Sequence, residues 1–181
     1  MQPADITPLP TAFRRIGWSN LLAQFSEQIA LAAAPLAAVL LLAAGPAETG
    51  WLQTAQTLPF LLLSIPAGLM VDRASRRRLM VGTEVLRAVS LLAIPLLLAL
   101  GSLNLTWLGV LGALGAVGTV CYSVAAPAFV PSVVPRARLA DANRWLELAR
   151  SAAYAGGPAL GGALVGWIGI STAYGLAAGL S

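Results

Sequence analysis

The 181-residue sequence contains no lysine, no histidine and a single cysteine, Cys121. The sequence also has no pair of acidic residues within an apolar run and no G-x-S-x-G sequence. We can therefore build no metal site, carboxylate dyad or catalytic triad. The G-x-x-x-x-G-K-[ST] loop of ATP-driven pumps is also missing. A lone cysteine excludes an internal disulfide and is most simply a packing residue. We therefore expect a protein that is not an enzyme, has no catalytic residues and uses no metal or cofactor.

Charge is also scarce, at 10% of residues, whereas 58% are hydrophobic and the mean hydropathy is +0.81. A soluble domain carries about a quarter charged residues, so this chain cannot cover a water-facing surface. The formal net charge is +4, but the arginines fall in short clusters between apolar runs and form no basic face. These features exclude nucleic acid as a partner and predict that the chain is embedded in lipid.

Five apolar runs are long enough to cross a bilayer as helices, which takes about 20 residues. A sixth run starts near residue 171, and its part up to residue 181 is too short to cross a bilayer. Tight connections predict that the helices they join are antiparallel neighbours. We predict an all-α membrane protein with a cytoplasmic tail (residues 1–15) and a helix bundle (16–181), in which the spans are 18–42, 51–71, 79–100, 105–129, 145–168 and the incomplete 171–181.

All eleven arginines precede the first run or lie in or near the second and fourth connections. Because cytoplasmic loops are enriched in arginine, this distribution predicts a cytoplasmic N-terminus. Tryptophans near the run ends are typical of an interfacial belt. They are Trp18, Trp51, Trp107, Trp145 and Trp167.

Polar residues recur on one face of several predicted helices. In the first helix Asn20, Gln24 and Glu27 form a stripe, and the second, fourth and fifth helices carry similar residues. Such residues usually face a bundle interior or a wet cavity. We predict that helices 1, 2, 4 and 5 share a polar lumen and that helix 3 lies outside it; interhelical hydrogen bonding is the alternative. The candidate cavity residues are Asn20, Gln24, Glu27, Gln53, Gln56, Tyr122 and Tyr154.

The second connection reads G-L-M-V-D-R-A-S-R-R-R from Gly68 to Arg78. It resembles the G-x-x-x-D-R-x-G-R-R/K motif of the major facilitator superfamily, with Ser75 replacing the second glycine. The resemblance implies a cytoplasmic gate in which Asp72 caps a helix end of a C-terminal half. A positive-inside anchor explains the arginines but not Gly68 or Asp72. The arginines of the implied charge network are Arg73, Arg76 and Arg77.

The fifth predicted helix contains G-G-P-A-L-G-G from residue 156 to 162. It is similar to the G-P-x-x-G-G motif of antiporters in the same superfamily, carried here by Gly157, Pro158, Gly161 and Gly162. Small residues four apart also let helices approach closely, so packing explains part of the pattern.

Along nearly its whole length, the sequence resembles the drug:proton antiporter branch that contains macrolide and siderophore exporters. It departs from many members because its fourth helix has no arginine. The resemblance implies the N-terminal six-helix half of a major facilitator fold, with inverted three-helix repeats. It also implies an exporter in a bacterial inner membrane, with an absent C-terminal half of the same transporter as partner. We expect the chain to be a fragment or a truncated reading frame.

Glu27 is the best candidate for proton coupling, because it lies about 18 Å along the first helix from Arg15, near the expected bilayer midplane. A proton and a cationic or amphipathic small-molecule substrate could compete for its carboxylate; the alternative is a structural ion pair. Two further sets at i,i+3 spacing predict charge pairs with a structural or gating role. They are Glu84 with Arg87, and Glu147 with Arg150.

Three other functions remain open at this stage. A passive channel would conduct without a gradient and without saturation, and a non-transporting scaffold would carry no flux. A half-size carrier that dimerises is a third possibility, although the short sixth run disfavours it.

Overall fold

The computed structural model describes residues 11–73 and 75–181, without the side chains of residues 12, 70–73 and 76. Within these residues the chain forms helices and no strand. Two short 3-10 segments, Val130–Ser132 and Arg136–Arg138, join the fourth and fifth helices. The six α-helices are α1 (Thr11–Leu42), α2 (Pro46–Arg73), α3 (Arg76–Ala99), α4 (Leu105–Phe129), α5 (Leu139–Ile168) and α6 (Ile170–Leu180).

Local sequence accounts for several helix ends. Pro46 occupies the first position of α2, where its missing N–H costs nothing. The N–H of Trp107 donates to Asn104 Oδ1 over 2.9 Å, which caps α4. Gly169 separates α5 from α6 with a φ of +86°, a conformation that residues with a Cβ rarely adopt.

The predicted cytoplasmic tail (residues 1–15) overlaps α1, which begins at Thr11. Its location in the cytoplasm stays a prediction. The first turn is held by Phe13, which is only 1% exposed. Its ring packs with apolar residues from the α4–α5 connection and the start of α5, namely Val130, Val134, Ala142 and Leu146. This packing extends the helix beyond its lipid-spanning part.

Three segments of the described chain are long and apolar enough to cross a membrane: Phe13–Leu42, Arg77–Ala99 and Leu105–Ser132. The predicted spans 51–71 and 145–168 lie within α2 and α5, and their crossing stays a prediction. On α2 the large apolar side chains Leu61, Leu62 and Ile65 are exposed, as are Val81, Val85 and Val89 on α3. Apolar faces of this kind suit contact with lipid tails.

Helix neighbours differ from the simple expectation that tightly connected helices pack together. The contacts between α1 and α2 are sparse, and α2 packs mainly on α4. The reason lies in two glycines of α4: Gly109 faces the ring of Trp51, and Gly112 faces Gln56. Glycine lets helices approach closely, so α2 packs where α4 is smallest. The third connection does join neighbours, since α3 and α4 pack extensively.

Helix α1 occupies a central position in the bundle. It packs along α5 and α6 and also touches α4. Buried alanines at the α1–α6 contact, such as Ala33, Ala37, Ala173 and Ala177, allow a close approach. Any polar side chain on the inner face of α1 is therefore enclosed by other helices.

Candidate functional site

The polar stripe of α1 faces into the bundle. Asn20 and Glu27 are buried, at 5% and 8% exposure, and Gln24 is half-buried. The spacing of four and three residues places all three side chains on one helix face. Glu27 is thus a buried carboxyl group within the candidate span Phe13–Leu42.

An outer cavity of about 260 Å³ lies among α1, α2, α4 and α5, the four helices predicted to share a lumen. Four of the predicted cavity residues line it: Asn20, Gln24, Glu27 and Tyr154. Apolar side chains, among them Phe60 and Leu146, complete its wall. The outer cavity therefore offers both polar and apolar surface to a bound molecule.

A second, smaller cavity of about 40 Å³, which we call the inner cavity, also has Glu27 in its wall. It is lined by Gln56 of α2, Thr119 of α4, Arg87 of α3 and Tyr174 of α6. Glu27 and Thr119 belong to the walls of both cavities. Glu27 therefore borders both a larger cavity of mixed polarity and a smaller one.

The prediction that helix 3 lies outside the polar interior is wrong in one respect. Although α3 does not line the outer cavity, its residues Arg87, Leu91 and Ile94 line the inner one. Arg87 is only 3% exposed. Because a buried guanidinium needs polar partners, α3 must turn this residue towards the bundle.

Glu84 and Arg87 form the expected ion pair, in which Arg87 Nη2 donates to Glu84 Oε2. Arg87 Nε donates to Ser181 Oγ over 3.2 Å, and Ser181 Oγ lies 2.9 Å from Ser26 Oγ. Arg87 thus connects α3, α6 and α1 through hydrogen bonds.

The second expected pair is not formed, since the described residues show no ion pair between Glu147 and Arg150. The Arg150 guanidinium instead lies over the Tyr154 ring, 5.6 Å from its centroid. Both charged residues are exposed and line the outer cavity. An exposed ion pair contributes little, so a cation–π contact competes well with it.

Three predicted cavity residues do not line the outer cavity. Gln56 lines the inner one, whereas Gln53 is exposed and lines neither. Tyr122 is buried against Ala23 and Ala126, outside both cavity walls. Sequence reasoning missed Tyr174, whose only signal is a polar hydroxyl within the short sixth apolar run.

The gate motif can be described only in part. Gly68 lies in α2, and a Cβ added there would meet no described atom within 4 Å. Arg77 is exposed near the start of α3. The side chains of Asp72, Arg73 and Arg76 lie outside the described residues, so the predicted gate stays a prediction.

Two glycines of the antiporter motif bring α5 close to α1. A Cβ added at Gly157 would lie 2.3 Å from Gln28 Cβ, and one at Gly161 would lie 3.1 Å from Ile29 Cα. A Cβ at Gly162 would have no described neighbour within 4 Å, and Pro158 is exposed. Helix packing therefore accounts for Gly157 and Gly161.

A bundle of apolar helices that encloses a buried carboxyl group next to a polar cavity is typical of a secondary transporter. The comparison with protein families agrees. The chain belongs to the transmembrane secretion effector family of major facilitator transporters, whose model matches residues 4–180. This match confirms the resemblance to the major facilitator superfamily. Comparisons with curated proteins and with solved structures gave no significant match.

Proposed function

We propose that this chain acts as a proton-coupled exporter of amphipathic, preferably cationic, small molecules, and that Glu27 couples proton binding to substrate release. Transport would proceed by alternating access between the two sides of the membrane. The chain acts as a carrier without an enzymatic step.

The position of Glu27 carries this proposal. It is a buried carboxyl group in an apolar span, and it borders the outer cavity. Ionisable groups are costly within a membrane and mark ion or substrate pathways when they occur there. A carboxylate at the cavity wall attracts a cation and loses that attraction once a proton occupies it. Competition between proton and cation is the basis of exchange.

The composition of the outer cavity supports the substrate class. Glu27 supplies the buried negative charge, while Phe60, Leu146 and the Tyr154 ring supply apolar surface. Amphipathic cations match such a wall in both charge and apolar surface, and the family resemblance suggests drugs, macrolides and siderophores as substrate classes to test. We place the protein in a bacterial inner membrane, where lipid covers its outer faces and a second six-helix half of the transporter completes the site.

The test is uptake of a fluorescent amphipathic cation, such as ethidium, into inverted membrane vesicles from cells that express the full chain. With the vesicle interior acidified, we expect saturable accumulation that collapses when the pH gradient is dissipated. Glu27→Gln removes the exchangeable carboxylate and should reduce accumulation to the level of vesicles without the protein.

The matched control is Asp141→Asn, which neutralises an exposed carboxylate at the start of α5. This variant should accumulate the dye like the wild type. Full gradient-driven accumulation by Glu27→Gln would contradict the coupling role. Flux that neither saturates nor responds to the gradient would favour a passive channel.

A further inference from the structure

The inner cavity connects Glu27 with a second, half-buried carboxyl group through Arg87. Arg87 lines the cavity together with Glu27, and it also pairs with Glu84. The side chains of Arg87 and Glu84 are 4% and 14% exposed, and Glu27 is 8% exposed. Electrostatic interactions link Glu27 to Arg87, then to Arg150 of the outer cavity, and least strongly to Glu84. We refer to Glu27, Glu84 and Arg87 as the buried charge cluster.

The charges of this cluster do not balance when both carboxyl groups are ionised. Two negative charges would then face one guanidinium, which stays protonated in proteins. An uncompensated charge in a protein interior is costly and is normally removed by protonation. Two carboxyl groups that share a site therefore hold one proton between them, and that proton belongs to the pair.

Other charged and titratable groups around the cluster leave this imbalance in place. In the outer cavity, Arg150 attracts Glu27, but Arg150 and the oppositely charged Glu147 are both exposed, and solvent screens exposed charges. Arg77 borders Glu84 from the exposed start of α3. The remaining neighbours are neutral phenols, namely Tyr122, Tyr154 and Tyr174.

Polar atoms with unused hydrogen-bonding capacity line the inner cavity. Gln56 Oε1 and Tyr174 Oη are fully buried and have no hydrogen-bond partner among the residues that the structure describes. The residues are 4% and 1% exposed, and both belong to the cavity wall. A cavity of about 40 Å³ that has polar groups in its wall can hold roughly two or three water molecules. Water there would satisfy both atoms and link Glu27 to Arg87.

We propose that Glu84 is a second proton-binding residue of the carrier, which shares one proton with Glu27 across the buried charge cluster. The inference rests on the proposed function of Glu27. In the exchange step, the O–H bond of the Glu84 carboxylic acid breaks and an O–H bond forms on the Glu27 carboxylate, so that one proton moves between the two groups by way of water. Arg87 keeps its proton, so the cluster has no net charge before or after the step.

The shared proton determines when the outer cavity binds a cation. When the last proton leaves the cluster, its net charge becomes negative, and a cation beside Glu27 compensates this charge. Substrate binding and proton loss are therefore linked through Glu84 and Arg87 as well as through Glu27.

The experiment counts protonated carboxyl groups by infrared spectroscopy of the purified full chain in lipid nanodiscs at neutral pH. A carboxylic acid C=O stretch is separate from the bands of a carboxylate and shifts in deuterated water. We expect the wild type to show the band of one buried acid. Because each substitution leaves one carboxylate with one guanidinium, Glu27→Gln and Glu84→Gln should each abolish this band.

Arg87→Gln should double the band, since both carboxyl groups then lose their counter-charge. Glu48→Gln, at an exposed position at the start of α2, is the matched control and should leave it unchanged. A band that survives in either Glu27→Gln or Glu84→Gln would overturn the shared proton. Two bands, or none, in the wild type would also overturn the shared proton. This outcome does not depend on whether any variant folds.

The same variants separate this inference from the proposed function. The infrared count requires no transport, so a wrong count overturns the shared proton even if the wild type exports dye with a pH gradient. A correct count without gradient-driven export overturns the coupling role of Glu27 and leaves the cluster in place.

Discussion

Phe13 shows how one side chain outside the lipid-facing part of a helix can fix its end. The ring is almost fully buried and touches the α4–α5 connection and α5. It thereby joins the first turn of α1 to residues more than one hundred positions later in the sequence. This contact explains why the helix starts at Thr11, well before the apolar run.

We predict that Phe13→Ala destabilises the protein by about 3–5 kcal/mol, the usual cost of truncating a buried phenylalanine. The measurement is unfolding of the purified protein in detergent, followed by circular dichroism. Arg15→Ala, an exposed change on the same turn, should alter the unfolding midpoint little. Equal midpoints for the two variants would show that Phe13 packing does not hold this end of the bundle.

The sequence pattern located the residue Glu27 but not the side chains that surround it. The spacing of Asn20, Gln24 and Glu27 is enough to place them on one helix face, because helix periodicity is local. For Arg87, the sequence predicted only a charge pair with Glu84, three residues away. Its position beside the inner cavity depends on how α3 turns against α1, α4 and α6, which no local pattern encodes.

At the scale of helices, the α1–α5 and α2–α4 contacts are both extensive, and glycines allow a close approach in each. In the α1–α5 contact, glycines of α5 face Gln28 and Ile29 of α1, and Gly17 of α1 faces the ring of Trp145. In the α2–α4 contact the glycines lie on α4, where Gly112 faces Gln56 of α2. Both arrangements place a glutamine against a glycine, so that a polar side chain fits between closely packed helices.

We predict that Gly157→Ala and Gly162→Ala differ in their effect on stability, although both change the antiporter motif. A methyl group at residue 157 would overlap Gln28 Cβ, whereas one at residue 162 would meet no described atom within 4 Å. Overpacking costs about 1–3 kcal/mol. Thermal unfolding in detergent should show a lower midpoint for Gly157→Ala alone.

If both variants unfold like the wild type, α5 can move away from α1 without loss. The close contact would then not be required for stability. A transport defect in Gly162→Ala with normal stability would indicate that this glycine has a role beyond packing.

Helix positions follow from local sequence more directly than helix neighbours do. The observed α4, Leu105–Phe129, has the bounds of the predicted span, and α6 starts one residue before its prediction. Runs of apolar residues and turn residues set such positions locally. The pairing of α2 with α4 instead depends on which surfaces fit each other after all helices have formed.

For the whole molecule, the helix contacts repeat after three helices. Helix α1 packs on α5 and α6, and α4 packs correspondingly on α2 and α3, while α3 and α6 pack on each other. This is the pattern that two three-helix repeats, α1–α3 and α4–α6, would produce. Such repeats are common in secondary transporters, where the binding site lies at their interface.

The arginine distribution leads to a prediction about orientation. Introduced cysteines at Ser132 and Ser102 lie at opposite ends of α4, and both positions are exposed. With a cytoplasmic N-terminus, a membrane-impermeant maleimide should label Ser102→Cys in intact cells. It should label Ser132→Cys only after the cells are opened.

The parent protein is the control, because its own Cys121 is buried and should not react. Labelling with the reverse sidedness would place the N-terminus outside the cell. Labelling of both cysteines in intact cells would show that α4 does not cross the membrane.

The sequence by itself determined that the protein is helical, lies in a membrane, belongs to the major facilitator type and carries a carboxyl group inside an apolar run. Each of these features follows from composition, periodicity or a short motif, and each is local. The tertiary structure decided which helices touch, that Arg87 faces the interior, and that Glu27 borders two cavities. Side chains from four or more helices form each cavity, and only their packing brings these residues together.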